Sequence, residues 1–159
     1  MNNKPGGSKT NLHGLGFEND TSLSIDKIGN FIRINKNNFR KYMKKINEKS
    51  LNIKEGHGCK EPDEVYIDNK NKNLIIIEKK FQSVGGSVCE KLQTCNFKKF
   101  NYEKQYPNYK INLIYVLSNW FLNNCETELE YLEENNFTYY IGSEYNYKEK
   151  ISEYIINCK

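Results

Sequence analysis

The sequence predicts a single α/β domain, a mixed central β-sheet flanked by helices, and three observations carry that expectation. Two apolar runs, Glu64–Asp68 and Asn73–Lys80, stand on either side of four polar residues and read as a β-hairpin. A continuous apolar run over 111–117 has strand length and no polar alternation, as a strand buried on both faces does. Segments of helical spacing separate these strands, with no repeat and no composition break in 159 residues, about one domain's length of chain.

Taken in order, residues 1–11 (MNNKPGGSKTN) are polar and Gly-rich and are expected to form a mobile tail, leaving 12–159 as the domain. Apolar residues from Leu12 to Ile34 fall at mixed spacing. They give a helix over 15–28, weakened by Gly29 and by several Asn and Ser. Phe39, Tyr42, Met43 and Ile46 then follow at i, i+3, i+4 and i+7, the stripe of an amphipathic helix whose other face is basic. Gly56, Gly58 and Pro62 mark a loop before the hairpin. After it, Gly85 and Gly86 break the chain, and Ser87 with Glu90 has the form of a capping box opening a helix over 88–105. The run 111–117 is the expected buried central strand, followed by a helix over 126–135, a strand over 137–141 and a closing helix over 148–157.

Composition narrows the class of function. Hydrophobic residues at 37% suffice for a core because the abundant Tyr buries a large apolar body. The net charge of +4 is modest, but it is unevenly spread. From Arg33 through Lys36, Arg40, Lys41, Lys44, Lys45, Lys49 and Lys54 only Glu48 is acidic, while Glu126, Glu128, Glu130, Glu133 and Glu134 cluster elsewhere. Such segregation suits either one face turned to a polyanion or ordinary solvated helix faces. Five cysteines with no CxxC pair, and only His13 and His57 as imidazoles, leave no zinc framework. The odd cysteine count and the lack of a signal peptide point to a reducing, intracellular setting, the cytoplasm or, for a eukaryotic or viral chain, the nucleus. No apolar run approaches the roughly 18 residues a membrane span needs, so a soluble protein is expected.

The hairpin supplies the chemistry. If Asn69–Lys72 closes it as a four-residue loop, Asp68 pairs with Asn73, Ile67 with Leu74, Val65 with Ile76, and Asp63 faces Glu78. Two carboxylates would then lie cross-strand with Cβ atoms roughly 4.5–5.5 Å apart, an arrangement that repels unless a cation sits between them. Lys80 points to the same face as Glu78, roughly 6.6 Å further along, and Lys79 points to the other. Val65, Ile67, Leu74 and Ile76 form a dry floor leading to the acids. Paired hard oxygens of this kind suit Mg²⁺, which binds one or two carboxylates together with phosphate.

Pro62-Asp63, an apolar strand and Glu78-Lys79-Lys80 resemble the PD-(D/E)XK nuclease superfamily, over roughly residues 61–117. The stretches EPDEVYI, LIIIEKKFQ and GGSVCEKLQT look most like type II restriction endonucleases. Asp68-Asn69-Lys70 has the same form but lies in the turn, too close to Asp63 to build a second strand. The resemblance implies a restriction-endonuclease-like αβββαβ core and a Mg²⁺-dependent DNA endonuclease, with Mn²⁺ able to substitute. Asp63 and Glu78 would ligate one or two ions, joined by the backbone carbonyl of Lys79. Lys80 would orient or help deprotonate the attacking water, leaving a 5′-phosphate and a 3′-hydroxyl. Glu18 is either a further metal-assisting acid or a helix-start charge favoured by the dipole. Gln82, Lys91, Gln93 and Lys98 are the candidates to meet DNA, against a solvated role for Gln82 and a capping role for nearby Glu90. His13 and His57 read as loop histidines rather than catalysts. Asn119, Trp120 and Phe121 could hold a recognition loop or, for Trp120, join the core or an interface. The implied partners are double-stranded DNA, a second copy forming a homodimer, and a cognate DNA methyltransferase. A repair or recombination nuclease and a non-catalytic nucleic-acid-binding module are the alternatives.

Overall fold

The computed structural model describes residues 7–46, 61–85 and 89–158. Six strands form one mixed sheet in sequence order: β1 (Lys27–Ile28), β2 (Phe31–Ile34), β3 (Glu64–Asp68), β4 (Asn73–Lys80), β5 (Lys110–Leu117) and β6 (Thr138–Ile141). Neighbours from β1 to β4 are antiparallel, whereas β4–β5 and β5–β6 are parallel. Parallel neighbours need a crossover. The first is made by α3 (Glu90–Gln93) and α4 (Cys95–Gln105), the second by α5 (Trp120–Asn124) and α6 (Glu126–Glu134). Helices α1 (Gly7–Asp20), α2 (Lys36–Ile46) and α7 (Tyr147–Asn157) complete an α/β domain with helices on both faces of the sheet.

The β3–β4 hairpin has the expected loop and the expected register, Asp68 opposite Asn73 through Val65 opposite Ile76. Asp68 fixes the turn. Its Oδ1 accepts the Lys70 and Asn71 backbone N–H groups at 2.9 and 3.0 Å, and its Oδ2 accepts the Asn71 side-chain amide at 2.7 Å. With the register pinned, side chains sort cleanly by period two. Val65, Ile67, Leu74, Ile76, Leu113 and Tyr115 face a core closed by α2 and α3–α6. Tyr66, Ile75, Ile77, Ile114 and Val116 face a second core closed by α7, with Phe17 of α1 packed against it.

The expected helix over 15–28 is corrected at both ends. Helix α1 begins at Gly7, inside the segment read as a tail, and ends at Asp20. Thr21 follows and donates its hydroxyl to the Phe17 carbonyl at 2.5 Å. What was read as the end of a helix is the first strand of a short hairpin, β1–β2, turned by Gly29-Asn30 with Gly29 at φ +56°. That is the left-handed residue a two-residue hairpin turn requires. The expected helix over 88–105 is broken at Thr94, whose hydroxyl donates to the Lys91 carbonyl. Cys89, without a side-chain cap, precedes α3, and Ser87 lies outside the described residues. Strand β5 is interior and buried, although the sheet's midline runs between β3 and β4. Helix α5 occupies the place offered for a recognition loop; Phe121 is fully buried and Trp120 packs edge-on against it. Among the described residues no helix is long and apolar enough to cross a membrane.

Candidate active site

Strand β4 outruns its partner. The last β3–β4 pair is Glu64 with Ile77, so Asp63 leaves the ladder just before the position facing Glu78. Its carboxylate takes over the role of a backbone partner, and Oδ2 accepts the Lys79 N–H at 2.7 Å. Asp63 is therefore fixed at the open end of the hairpin, on the face that carries Glu78 and Lys80. The direct Asp63–Glu78 pairing read from the sequence is not made; Asp63 is bound instead to the N–H of Lys79, the residue after Glu78.

Three oxygens converge on the Lys80 ammonium. Glu78 Oε2 lies 2.8 Å from Nζ, the Lys79 carbonyl 3.0 Å and Asp63 Oδ2 3.5 Å. All three belong to the residues singled out in the sequence as oxygen donors. Burial raises the Asp63 carboxyl above its usual range, opposed by Lys80 and reinforced by Glu78. Burial would raise Glu78 too, but Lys80 and Lys98 outweigh it and hold this carboxyl at about 2. Burial alone would lower Lys80; Glu78 and Asp63 prevail and raise it, so it stays an ammonium.

The fourth member of this cluster is Lys98. It was expected to face DNA, yet its Nζ lies 2.7 Å from Glu78 Oε2 and 5.9 Å from the centroid of the Tyr115 ring. Tyr102, one turn further along α4, donates its hydroxyl to Glu78 Oε1 at 3.5 Å. Tyr115 sits beside Glu78 in the parallel β4–β5 register, and its buried hydroxyl has no hydrogen-bond partner among the described residues. The sequence carried a signal for Lys98: it shares the inward helical face of buried Cys95 and Tyr102.

Across the sheet lies a second ionic cluster that the sequence reading missed. Glu64 is buried and meets Lys79 Nζ at 3.0 Å and Arg33 Nε at 3.1 Å, and it accepts from the Leu23 N–H and the Tyr66 hydroxyl at 3.3 Å each. A cleft of about 200 Å³ opens here, with Asp63, Glu64, Lys79, Glu18 and Lys36 in its walls. Glu18 pairs with Lys36 at 2.8 Å, and its carbonyl accepts from Lys79 Nζ at 2.9 Å. Its carboxylate does not join Asp63 and Glu78 in a three-acid cluster. Among the described residues the only Cys, His, Asp or Glu group with ligand atoms mutually within 4.8 Å is Cys89, Cys125 and Glu128.

Gln82, Gln93 and His13 are engaged elsewhere. Gln82 exchanges backbone bonds with the Ser118 hydroxyl, and its side-chain amide donates to the Val84 carbonyl at 2.6 Å. Gln93 donates to Glu128 of α6 at 3.0 Å, and Lys91 is exposed on α3. His13 packs its ring 6.2 Å from that of Phe81, and His57 lies outside the described residues. The basic stretch is not one free face, because Arg33, Lys36 and Arg40 pair with Glu64, Glu18 and Glu61. Cys89 and Cys125 are disulfide-bonded, with Cα atoms 5.9 Å apart, which removes the ground for reading the cysteines as signs of a reducing compartment. No known protein family, curated protein or solved structure matches this chain.

Proposed function

We propose that this protein is a Mg²⁺-dependent DNA endonuclease that hydrolyses phosphodiester bonds to a 5′-phosphate and a 3′-hydroxyl. The observation that carries the reading is the convergence of Asp63, the Lys79 carbonyl and Glu78 on the Lys80 ammonium at the open end of the hairpin. The order α1, β2–β3–β4, α4, β5, with β4 and β5 parallel, also agrees with an αβββαβ nuclease core carrying α2 as an insertion.

The donor set fits a hard divalent cation. Two carboxylates and a carbonyl gather around one positive centre, the Lys80 ammonium, and present hard oxygens to it. Asp63, Glu78 and the Lys79 carbonyl would hold the ion. When bound, it would lower the pKa of a water and neutralise charge on the phosphate. Lys80 keeps its proton, so its part is to orient the attacking water and to offer an N–H to a phosphate oxygen. Lys98 and Tyr102 hold Glu78 ionised and in place. A duplex cut on both strands calls for two such sites, which a symmetric homodimer supplies. A restriction role, with a cognate methyltransferase, is the narrower form of this reading.

The test is cleavage of varied duplexes with Mg²⁺ or Mn²⁺. Asp63→Ala, Glu78→Ala and Lys80→Ala should each lose cleavage by more than about a hundredfold while keeping DNA binding. Full activity in all three would overturn the assignment. Discrete fragments would favour restriction, whereas cutting only at branched or frayed DNA would favour repair or recombination.

A further inference from the structure

Helix α4 has two faces of different character. Cys95, Lys98 and Tyr102 point inward, Lys98 to the Glu78 carboxylate at 2.7 Å. Phe97 and Phe100 point outward and are 65% and 54% exposed, with Asn101 and Lys104 continuing the same stripe at i+4 and i+7 from Phe97. Lys104 Nζ stands 5.8 Å from the centroid of the Phe100 ring. Lys99, next to Phe100 in the chain, stands on the flank of the helix, paired at 3.5 Å with Glu103, the helix's one acid. Single exposed apolar residues are ordinary on a protein surface. Two phenyl rings one turn apart, with Lys104 against one of them and Lys99 on the flank, on the helix that supports the acid site, form a patch of specific chemistry.

We infer that Phe97 and Phe100 form a stacking platform for unpaired bases of a nucleic-acid strand whose phosphates are met by Lys99 and Lys104. The inference rests on the nuclease reading for its role and narrows the substrate to duplex DNA that carries an unpaired stretch beside the cut. Aromatic faces take any base, and neighbouring cations follow the backbone, which is the chemistry of sequence-tolerant single-strand binding. Proximity favours it. Helix α4, about 10–12 Å across with its side chains, carries the platform on its outward face and Lys98, which reaches Glu78, on its inward one, so a strand passing round the helix leads from the acid site to the rings. A second copy of the chain suits the patch poorly. A two-fold contact would set the lysines of α4 against the same lysines, and two rings fall far short of the roughly 800 Å² per partner of a stable interface.

The experiment measures affinity by fluorescence anisotropy, with the full chain and a metal chelator present so that no cleavage occurs. The probes are a blunt duplex and the same duplex carrying an oligothymidine overhang with 2-aminopurine at the junction. Wild-type protein should bind the overhang probe roughly fivefold or more tighter than the blunt one, with 2-aminopurine fluorescence shifting as the base stacks. Phe97→Leu with Phe100→Leu, which keeps the apolar bulk, should abolish that preference and leave blunt-duplex affinity and melting temperature unchanged. Phe97→Trp with Phe100→Trp should restore it. Equal preference in wild type and the leucine variant would overturn the platform, as would a wild-type dimer that the leucine variant dissociates while oligonucleotide binding is unaltered. Because no chemistry is involved, a platform that binds without any later cleavage by Mg²⁺ would sink the nuclease reading alone.

Discussion

Glu78 shares one oxygen between two ammonium groups, Lys80 at 2.8 Å and Lys98 at 2.7 Å. Counting Asp63, the cluster holds two acids and two lysines, so it balances its own charge beside an apolar core. That balance explains how four ionisable side chains can sit largely buried at one end of a sheet. Three of the four were legible in the sequence: Asp63, Glu78 and Lys80 follow from counting along a hairpin, but Lys98 arrives from a helix whose inward face the sequence shows and whose docking site it does not. The counting itself depends on Asp68. Burial would raise its carboxyl, but the Asn71 and Lys70 N–H groups and the Asn71 amide outweigh that and hold it below the usual range. An acid depressed in the fold stabilises it above its unfolded pKa, near 4, and loses that contribution as pH falls through the folded value. Asp68→Ala should cost about 1–2 kcal/mol at pH 7, as the loss of a capping carboxylate does. Urea unfolding at pH 7 and again below pH 4 checks this: the gap between wild type and variant should narrow in acid. A gap of constant size would mean that the carboxylate charge is not what holds the turn.

Elements were legible where length and loop chemistry constrain them and obscure where they do not. The β3–β4 hairpin could be counted because both strands are long enough for alternation to define a face. Strands β1 and β2 have two and four residues, too short to show a period, and their one local sign is Gly29-Asn30 between them. Helix α1 was misplaced because Gly14, Gly16 and several polar residues leave it no apolar stripe. The break between α3 and α4 is tertiary in origin: Asn96 bonds Tyr131 and Asn135 of the α6 region, Gln93 bonds Glu128, and Cys89 is tied to Cys125. The disulfide closes a loop with sequence separation 36 and holds α3 to the start of α6. Loop-closure entropy assigns it roughly 3–4 kcal/mol. Cys89→Ser should therefore lower the melting temperature by several degrees, and a dithiol reductant should lower wild type to the same value. Wild-type melting that ignores the reductant would show that the bond contributes nothing to the folded chain.

At the scale of the whole molecule, one sheet separates two ionic clusters with different exposure to the surface. Asp63, Glu78, Lys80 and Lys98 lie on the face under α4, at the hairpin's open end, while Glu64 and Lys79 lie on the opposite face, with side chains only 1% and 2% exposed. Successive residues supply the two clusters, Asp63 and Glu64 from one strand end, Glu78 and Lys79 from the other, so the pleat itself divides them. Glu64 escaped the sequence reading for that reason: its partners Arg33 and Lys79 come from β2 and β4, and a lone Glu opening a strand looks like a solvated charge. The division predicts distinct phenotypes for neighbouring residues. Glu64→Gln leaves the buried Lys79 ammonium without its counter-charge, and breaking a buried pair from one side costs about 3–5 kcal/mol. Replacing both, Glu64→Gln with Lys79→Met, removes the buried uncompensated charge, leaves only the part-exposed Arg33 without its acid, and should recover most of the loss. Thermal melts of the three proteins read the stability, and cleavage assays well below the melting point read the function. Glu64→Gln should melt much lower yet still cut DNA, whereas Asp63→Ala, assayed well below its own melting point, should not cut. Equal melting of Glu64→Gln and wild type would mean that the buried pair is not what holds this face of the sheet together.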